Sequence, residues 1–284
     1  MRLLTFLFLL SLSMAALAQP VKYTFSDTRI LNSHSNETLK KGILEFRVGH
    51  RFGDIAGSNG GWETFYGVEE ASDIRIGFEY GITDRLMVGI GRNKGAGAAQ
   101  RLMEAFVKYR LLWQTPGAMP VSVTLLANTV VSTMPATGDS TAVSSFPEFQ
   151  HRFSYLGQAI IARKFGERAS LALLPTVLHR NFVAFDDENT SFHLGVGGRV
   201  VLKEGFALLA DYFHPLAGAQ VDDDNYQPPL SIGFEYETGG GHIFSVSLSN
   251  NPGLLENDFL PYTDREWLSG EFRVGFRIIR KFVL

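Results

Sequence analysis

Residues 270–284 read GEFRVGFRIIRKFVL, and their alternation decides the architecture. Phe272, Val274, Phe276, Ile278, Phe282 and Leu284 share one parity; Glu271, Arg273, Gly275, Arg277 and Lys281 share the other, and Arg280 breaks the pattern near the end. Successive side chains of a strand point to opposite faces, so a period of two means one greasy face and one charged face. The pattern recurs upstream. In GILEFRVGHRF, Leu44, Phe46 and Val48 oppose Glu45, Arg47 and Arg51; in DIRIGFEYG, Ile74, Ile76, Phe78 and Tyr80 oppose Arg75, Gly77 and Glu79; in RLMEAFVKYRLLW, Val107, Tyr109, Leu111 and Trp113 oppose Lys108 and Arg110. Further alternating segments near 85–92, 121–132, 150–163, 169–181, 191–202, 206–214, 229–237 and 242–249 bring the expected strand count to 12, with 10 or 14 as the alternatives.

The connections carry a second signal. Those at 53–72, 93–100, 133–149, 182–190, 215–228 and 250–269 are long, and those at 82–84, 114–120, 164–168, 203–205 and 238–241 are short. Short turns on one side and long loops on the other are the habit of membrane barrels. Thr83-Asp84, Lys203-Glu204-Gly205 and Gly239-Gly240-Gly241 supply hairpin-turn chemistry on the short side.

A sandwich or jelly roll would alternate equally well. The apolar parity, however, places aromatics near strand ends (Tyr80, Trp113, Tyr155, Phe192, Tyr212, Tyr236), as interfacial girdles do. In a bilayer a sheet spans only if it closes, because every backbone polar group needs an internal partner. The expected fold is therefore all-β, a transmembrane antiparallel up-and-down β-barrel with both termini periplasmic.

Composition narrows the classes further. The 284 residues contain no Cys, which excludes a disulfide framework and a cysteine nucleophile, and a net charge of −3 gives no basic footprint for nucleic acid. Residues 1–18, MRLLTFLFLLSLSMAALA, have the charged, apolar and small-residue regions of a secretory signal peptide, with cleavage expected between Ala18 and Gln19. That sets three parts: signal peptide 1–18, a polar lead-in or plug at 19–41, and the barrel at 42–284. The localisation that follows is the bacterial outer membrane. The expected partners are outer-membrane lipid, the barrel-insertion machinery and a small solute, with no nucleic acid and the oligomeric state open.

The segments TRILNSHSNET, FRVGHRFGDI, IRIGFEYGITDRLMVGIGR, QAIIARKF, LLPTVLHRN, LGVGGR, SIGFEYETGGGHIFSVSLSN and FRVGFRIIRKF, in that order, resemble the Bacteroidetes outer-membrane β-barrel family known as domain of unknown function 5777. The resemblance implies an outer-membrane barrel and carries over no catalytic or ligand-binding residue.

The inner parity holds the candidate lumen-lining residues. The basic ones are Arg47, Arg51, Arg75, Lys108, Arg110, Arg152, Arg180, Arg199, Arg273 and Arg277, and the acidic ones are Glu45, Glu79, Asp211, Glu235 and Glu271. Basic rings in a pore favour anions, so the leading expectation is a narrow passive channel with anion preference. The alternatives are a closed structural or surface-binding barrel acting through its outer loops and, further off, a lipid hydrolase using the outward His179 or His214. That last chemistry needs a serine within hydrogen-bond reach of the histidine, and no strand offers the pair at matched height on the outward face, so no enzyme is expected. The seven His lie without ligand spacing, Asp222-Asp223-Asp224 lacks the rest of a calcium loop, and no cofactor is expected.

Overall fold

Every alternating segment becomes a strand that hydrogen-bonds antiparallel to the next, and the last returns to the first. A computed structural model describes residues 19–284, and the expected signal peptide lies outside the described residues. The strands are β1 (Ile43–Asp54), β2 (Ala71–Gly81), β3 (Leu86–Asn93), β4 (Leu102–Leu112), β5 (Ser122–Ser132), β6 (Phe153–Phe165), β7 (Ala169–Arg180), β8 (Thr190–Lys203), β9 (Phe206–Ala217), β10 (Leu230–Glu237), β11 (His242–Ser249) and β12 (Arg273–Val283). Their order is that of a closed barrel. β12 seals it against β1 from Ile43 opposite Val283 to Asp54 opposite Arg273, so no edge is left with unpaired amides.

The outward parity forms a continuous apolar surface, from Ile76 and Phe78 on β2 through Leu171 and Leu173 on β7 to Val246 on β11. Tyr80, Tyr155, Tyr212 and Tyr236 lie exposed on that face. One expected regularity fails. The β4–β5 turn, residues 113–121, is longer than the opposite-end connection 94–101. It keeps a turn's shape through internal pairing: Thr115 bridges Met119, and the Gln114 side chain accepts from Lys164 N at 2.8 Å and donates to Lys164 O at 2.9 Å.

The inward parity divides into two walls. On β12, β1, β2 and β4 it carries charge, and long side chains face glycines across the ladder: Arg47 opposite Gly77, Arg75 and Arg277 both opposite Gly49, Arg51 opposite Gly275, and Glu104 opposite Gly91 on β3. Alternating large and small residues is how a small barrel fits side chains into a tapering interior. The far wall is apolar, with Leu126, Leu156, Ile160, Leu174, Leu209 and Phe213 all buried.

The outer face carries a direct test. Val246 sits mid-strand on β11, between Phe234 and Phe276, and is exposed. Val246→Arg is expected to cost about 2–4 kcal/mol of folding free energy in lipid vesicles, and Val246→Leu close to nothing, read by denaturant-induced unfolding.

Candidate functional site: a filled lumen

The polar segment that precedes β1 enters the barrel. Val21 N donates to Gln114 O at the β4–β5 turn, and the chain leaves beside the β2–β3 turn, where Lys41 N donates to Asp84 Oδ1 and Gly42 N to Gly81 O. Between these two points, both at the short-turn end, the chain climbs the lumen and doubles back. Ser35 N donates to Thr28 O, Arg29 bridges His34, and Ile30 N donates to Ser33 O, so residues 28–35 form a tight hairpin with its tip at 30–33. From Thr24 to Glu37 every residue is buried except Ser26, which is half-buried.

Each wall grips the hairpin by its own chemistry. Phe25, Ile30, Leu31 and Leu39 join the apolar cluster of the far wall, each contributing about 1.5–3 kcal/mol if fully removed from water. Ile30 presses onto β8 where a Cβ on Gly197 would stand 2.2 Å from Ile30 Cδ1. On the charged wall Asp27 accepts two hydrogen bonds from Arg47, at 2.6 and 2.9 Å, and lies 2.9 Å from Arg277 Nη2. Lys108 Nζ donates to the carbonyls of Thr28, Ser35 and Glu37, and Arg110 pairs with Glu37 at 2.7 Å. Asp211 of β9 holds the tip, accepting from the amides of Leu31, Asn32 and Ser33 and from the Ser33 hydroxyl.

A second insert comes from the opposite end. The connection 250–272 lowers a short helix, α1 (Glu256–Tyr262), into the barrel with Glu256 through Pro261 buried. Phe259 meets Phe213 of the apolar wall, ring centroids 5.8 Å apart. Asp258 accepts from the amides of Ala96 and Gly97, and Asp73 from those of Gly95 and Leu254, which clips two outer connections together. The inserts meet where Glu256 Oε2 lies 3.8 Å from His34 Nε2, with Glu256 Oε1 accepting from Gln158.

Of the candidate lining residues, Glu45, Arg47, Arg51, Arg75, Glu79 and Lys108 point inward and are buried, as are Arg110, Asp211, Glu235 and Arg277. Nearly all are engaged by one another or by the inserts: Arg75 with Glu104 at 2.7 Å, Glu79 with Thr28, Glu45 with Arg47, and Arg199 with Glu235 at 3.3 Å. Arg180 and Arg273 close the long-loop end of their strands, Arg180 in a two-point pair with Asp187. Arg152 and Glu271 lie beyond the strands. Arg152 donates to Met134 O above the Phe146 ring, and Glu271 accepts from Glu266 N. They belong to the outer connections because β6 begins at Phe153 and β12 at Arg273.

The acidic side of the lumen was undercounted by the sequence pattern. Glu104 shares the inward parity of Lys108 and could have been read from it, as could Asp73 on β2. Asp27, Glu37, Glu256 and Asp258 sit on segments whose place inside the barrel no alternation signals. With them the basic excess of the wall is offset.

The outward histidines have other partners: His179 Nδ1 with Thr190 Oγ1 at 2.8 Å, and His214 Nδ1 with Tyr212 OH at 3.3 Å. A serine–histidine contact does occur, Ser191 Oγ to His193 Nε2 at 2.9 Å, but inside the barrel with both residues buried. Among the described residues no group of three metal-ligating side chains converges.

The chain matches the family described as membrane bound beta barrel domain (DUF5777) over residues 25–282, and it belongs to that family. Nothing among curated protein sequences matches it. Among solved structures it is similar to the KdgM porin, at 7% identity and a TM-score of 0.50 over 84% of this chain and 99% of that one. It is also similar to the NanC porin, at 9% and 0.47 over 85% and 99%, and to an outer-membrane channel from Pseudomonas putida F1, at 16% and 0.47 over 87% and 98%. At such identities the likeness is one of fold.

Two expectations follow from the site. Asp27→Ala leaves Arg47 and Arg277 buried without their shared carboxylate, and should cost about 3–5 kcal/mol in unfolding from detergent micelles, with loss of amide-exchange protection across 24–37. The second concerns α1. Burial pushes the Glu256 carboxyl up to about 7 despite the nearby Arg29, and burial beside Asp73 pushes Asp258 up to about 7. Folded-state values above the unfolded ones, about 4, favour the docked helix when both groups are protonated. That contribution is complete below about pH 4 and is lost as the pH rises through 7. The melting temperature should therefore fall between pH 5 and pH 8, and Glu256→Gln with Asp258→Asn should flatten the fall.

Proposed function

From its membership of a membrane-bound β-barrel family and the contents of its lumen, we propose that the protein is an outer-membrane channel closed at rest, with the 24–37 hairpin as its plug. It is a bacterial outer-membrane barrel in this reading, with short turns and both chain ends toward the periplasm. The observation that carries the reading is the burial of the hairpin from Thr24 to Glu37 against both walls of the barrel. A small solute passes only after the hairpin withdraws toward the short-turn end, through which it entered.

Withdrawal changes the electrostatics of the path. Asp27, Glu37 and Arg29 leave with the hairpin, and the wall then presents Arg47, Arg51, Arg75, Lys108, Arg110, Arg180, Arg199, Arg273 and Arg277 against Glu45, Asp73, Glu79, Glu104, Asp211 and Glu235. A basic lining of this kind selects for anions. A role for the outer connections in meeting a partner has its own support. Trp62, Phe65 and Tyr66 stand exposed on the connection after β1, the latter two held at φ of 47° and 56°. Left-handed backbone is uncommon for aromatic residues and is kept only where the surroundings impose it.

In planar bilayers the full-length protein should stay silent. Removal of 24–37 should open discrete conductance steps whose reversal potential in a salt gradient reports anion preference. Because the chain has no cysteine, an Ile30→Cys, Gly197→Cys pair offers a control in the intact fold: oxidation locks the hairpin and keeps the barrel silent. Steady conductance in the locked form would refute closure by the hairpin.

A further inference from the structure

Among the described residues Arg51, Lys108 and Arg273 are buried cations of the wall with no carboxylate in ion-pair reach, and Lys108 has three carbonyls in its place. Arg51 of β1 is fully buried, and its Nη2 donates to Asn32 Oδ1 at 2.5 Å. Its Nε and Nη1 have no partner, and among the described residues no Asp or Glu oxygen stands within 4 Å of it. Arg75 Nη1, on the neighbouring strand, is likewise buried and unpartnered. The carboxylates whose charge reaches Arg51 are Asp211 and Asp73, and neither pairs with it: Asp211 is held by the amides of Leu31, Asn32 and Ser33, and Asp73 by those of Ile74, Gly95 and Leu254. An uncompensated guanidinium away from water costs several kcal/mol.

Arg51 and Arg75 border a cavity of about 30 Å³. Its floor is Gly49 and Gly275, which face Arg75 and Arg51 across the ladder. β11 supplies the hydroxyls of Ser245 and Ser247, and the hairpin roofs it with Arg29, Leu31 and Asn32. Arg47 and Arg277 complete the wall, and no carboxylate lines it. The polar side chains that line it are guanidiniums, hydroxyls, the Asn32 amide and the His50 imidazole, a donor-rich set matched to an anion.

Size then selects among anions. A water needs roughly 10–15 Å³ of such space, so the cavity has room for two or three waters or one small anion and excludes a sugar acid. We propose that the lumen binds a single halide ion between Arg51, Arg75, Ser245 and Ser247, as the counter-ion of the charged wall. The site is independent of conduction: the hairpin covers it, so an ion held there stabilises the closed barrel by favouring the folded state over the unfolded one.

Crystals grown from detergent and soaked in sodium bromide, with diffraction recorded at the bromine edge, test the site without any conductance measurement. An anomalous peak in contact with Arg51 Nε or Nη1 is expected. In parallel, melting at constant ionic strength should rise by a few degrees when bromide or chloride replaces gluconate, and saturate. Arg51→Gln should abolish the rise, and if that variant does not fold, Ser247→Ala should weaken it. A cavity free of anomalous signal in a crystal whose surface bromides are visible would overturn the proposal. So would a peak that needs molar bromide while melting ignores the halide, which marks an adventitious ion only.

Discussion

A ring of twelve strands encloses more volume than its own inward side chains fill. Eight strands make an interior that side chains can pack solid, and sixteen leave a water-filled channel. Twelve falls between, and the remaining space here is occupied by two pieces of the same chain. One climbs from the short-turn end and one descends from the long-loop end, and they touch at His34 and Glu256. The division of the wall follows from what each piece brings. Apolar strands receive Phe25, Ile30, Phe259 and Leu260, and charged strands receive Asp27, Arg29 and Glu37.

The charged wall makes sense as a positioning device more than as a source of stability. Buried ion pairs are commonly no better than well-packed hydrophobic residues of similar volume, since desolvation consumes what attraction supplies. An apolar hairpin against an apolar wall could, however, shift by a residue with little change in contact. Asp27 has one place where it accepts from Arg47 twice and also lies 2.9 Å from Arg277, and Lys108 has one place where three carbonyls converge. Such geometry allows a single register. Asp211 fixes the remaining coordinate by catching three successive amides at the tip.

The shell was legible in the sequence and its contents were not, for a physical reason. Alternation reports that a strand has unlike faces, which located Arg47, Lys108 and Arg277 on the inner side. It says nothing about what those faces touch, because a charged lumen wall and a wet one look the same at period two. Glu104 shares its parity with Lys108 and belongs to the readable part. Asp27 and Asp258 do not, since they lie on a tight hairpin and a two-turn helix too short to show any period. The far wall misleads in another way. LALLPTVL in β7 is apolar on both faces, which fits lipid outside and a packed insert inside, and which no pore lining would require.

The two inserts are coupled by what they share. Glu256 is held by Gln158 of β6 and by the His34 backbone of the hairpin, while Arg29 of the hairpin lies near enough to act on its charge. Withdrawing the hairpin therefore removes from α1 a hydrogen-bond donor, a favourable cation and part of the apolar cluster that seats Phe259. The converse also holds: without α1 the tip at 30–33 loses its cover on the long-loop side. Thermodynamic linkage makes the effect reciprocal. A ligand or a pH change that loosens the helix from outside lowers the free energy needed to draw the hairpin from below, by the same amount that withdrawing the hairpin loosens the helix. In the proposed channel, closure from both ends is in that sense one equilibrium, coupled through the contact between His34 and Glu256.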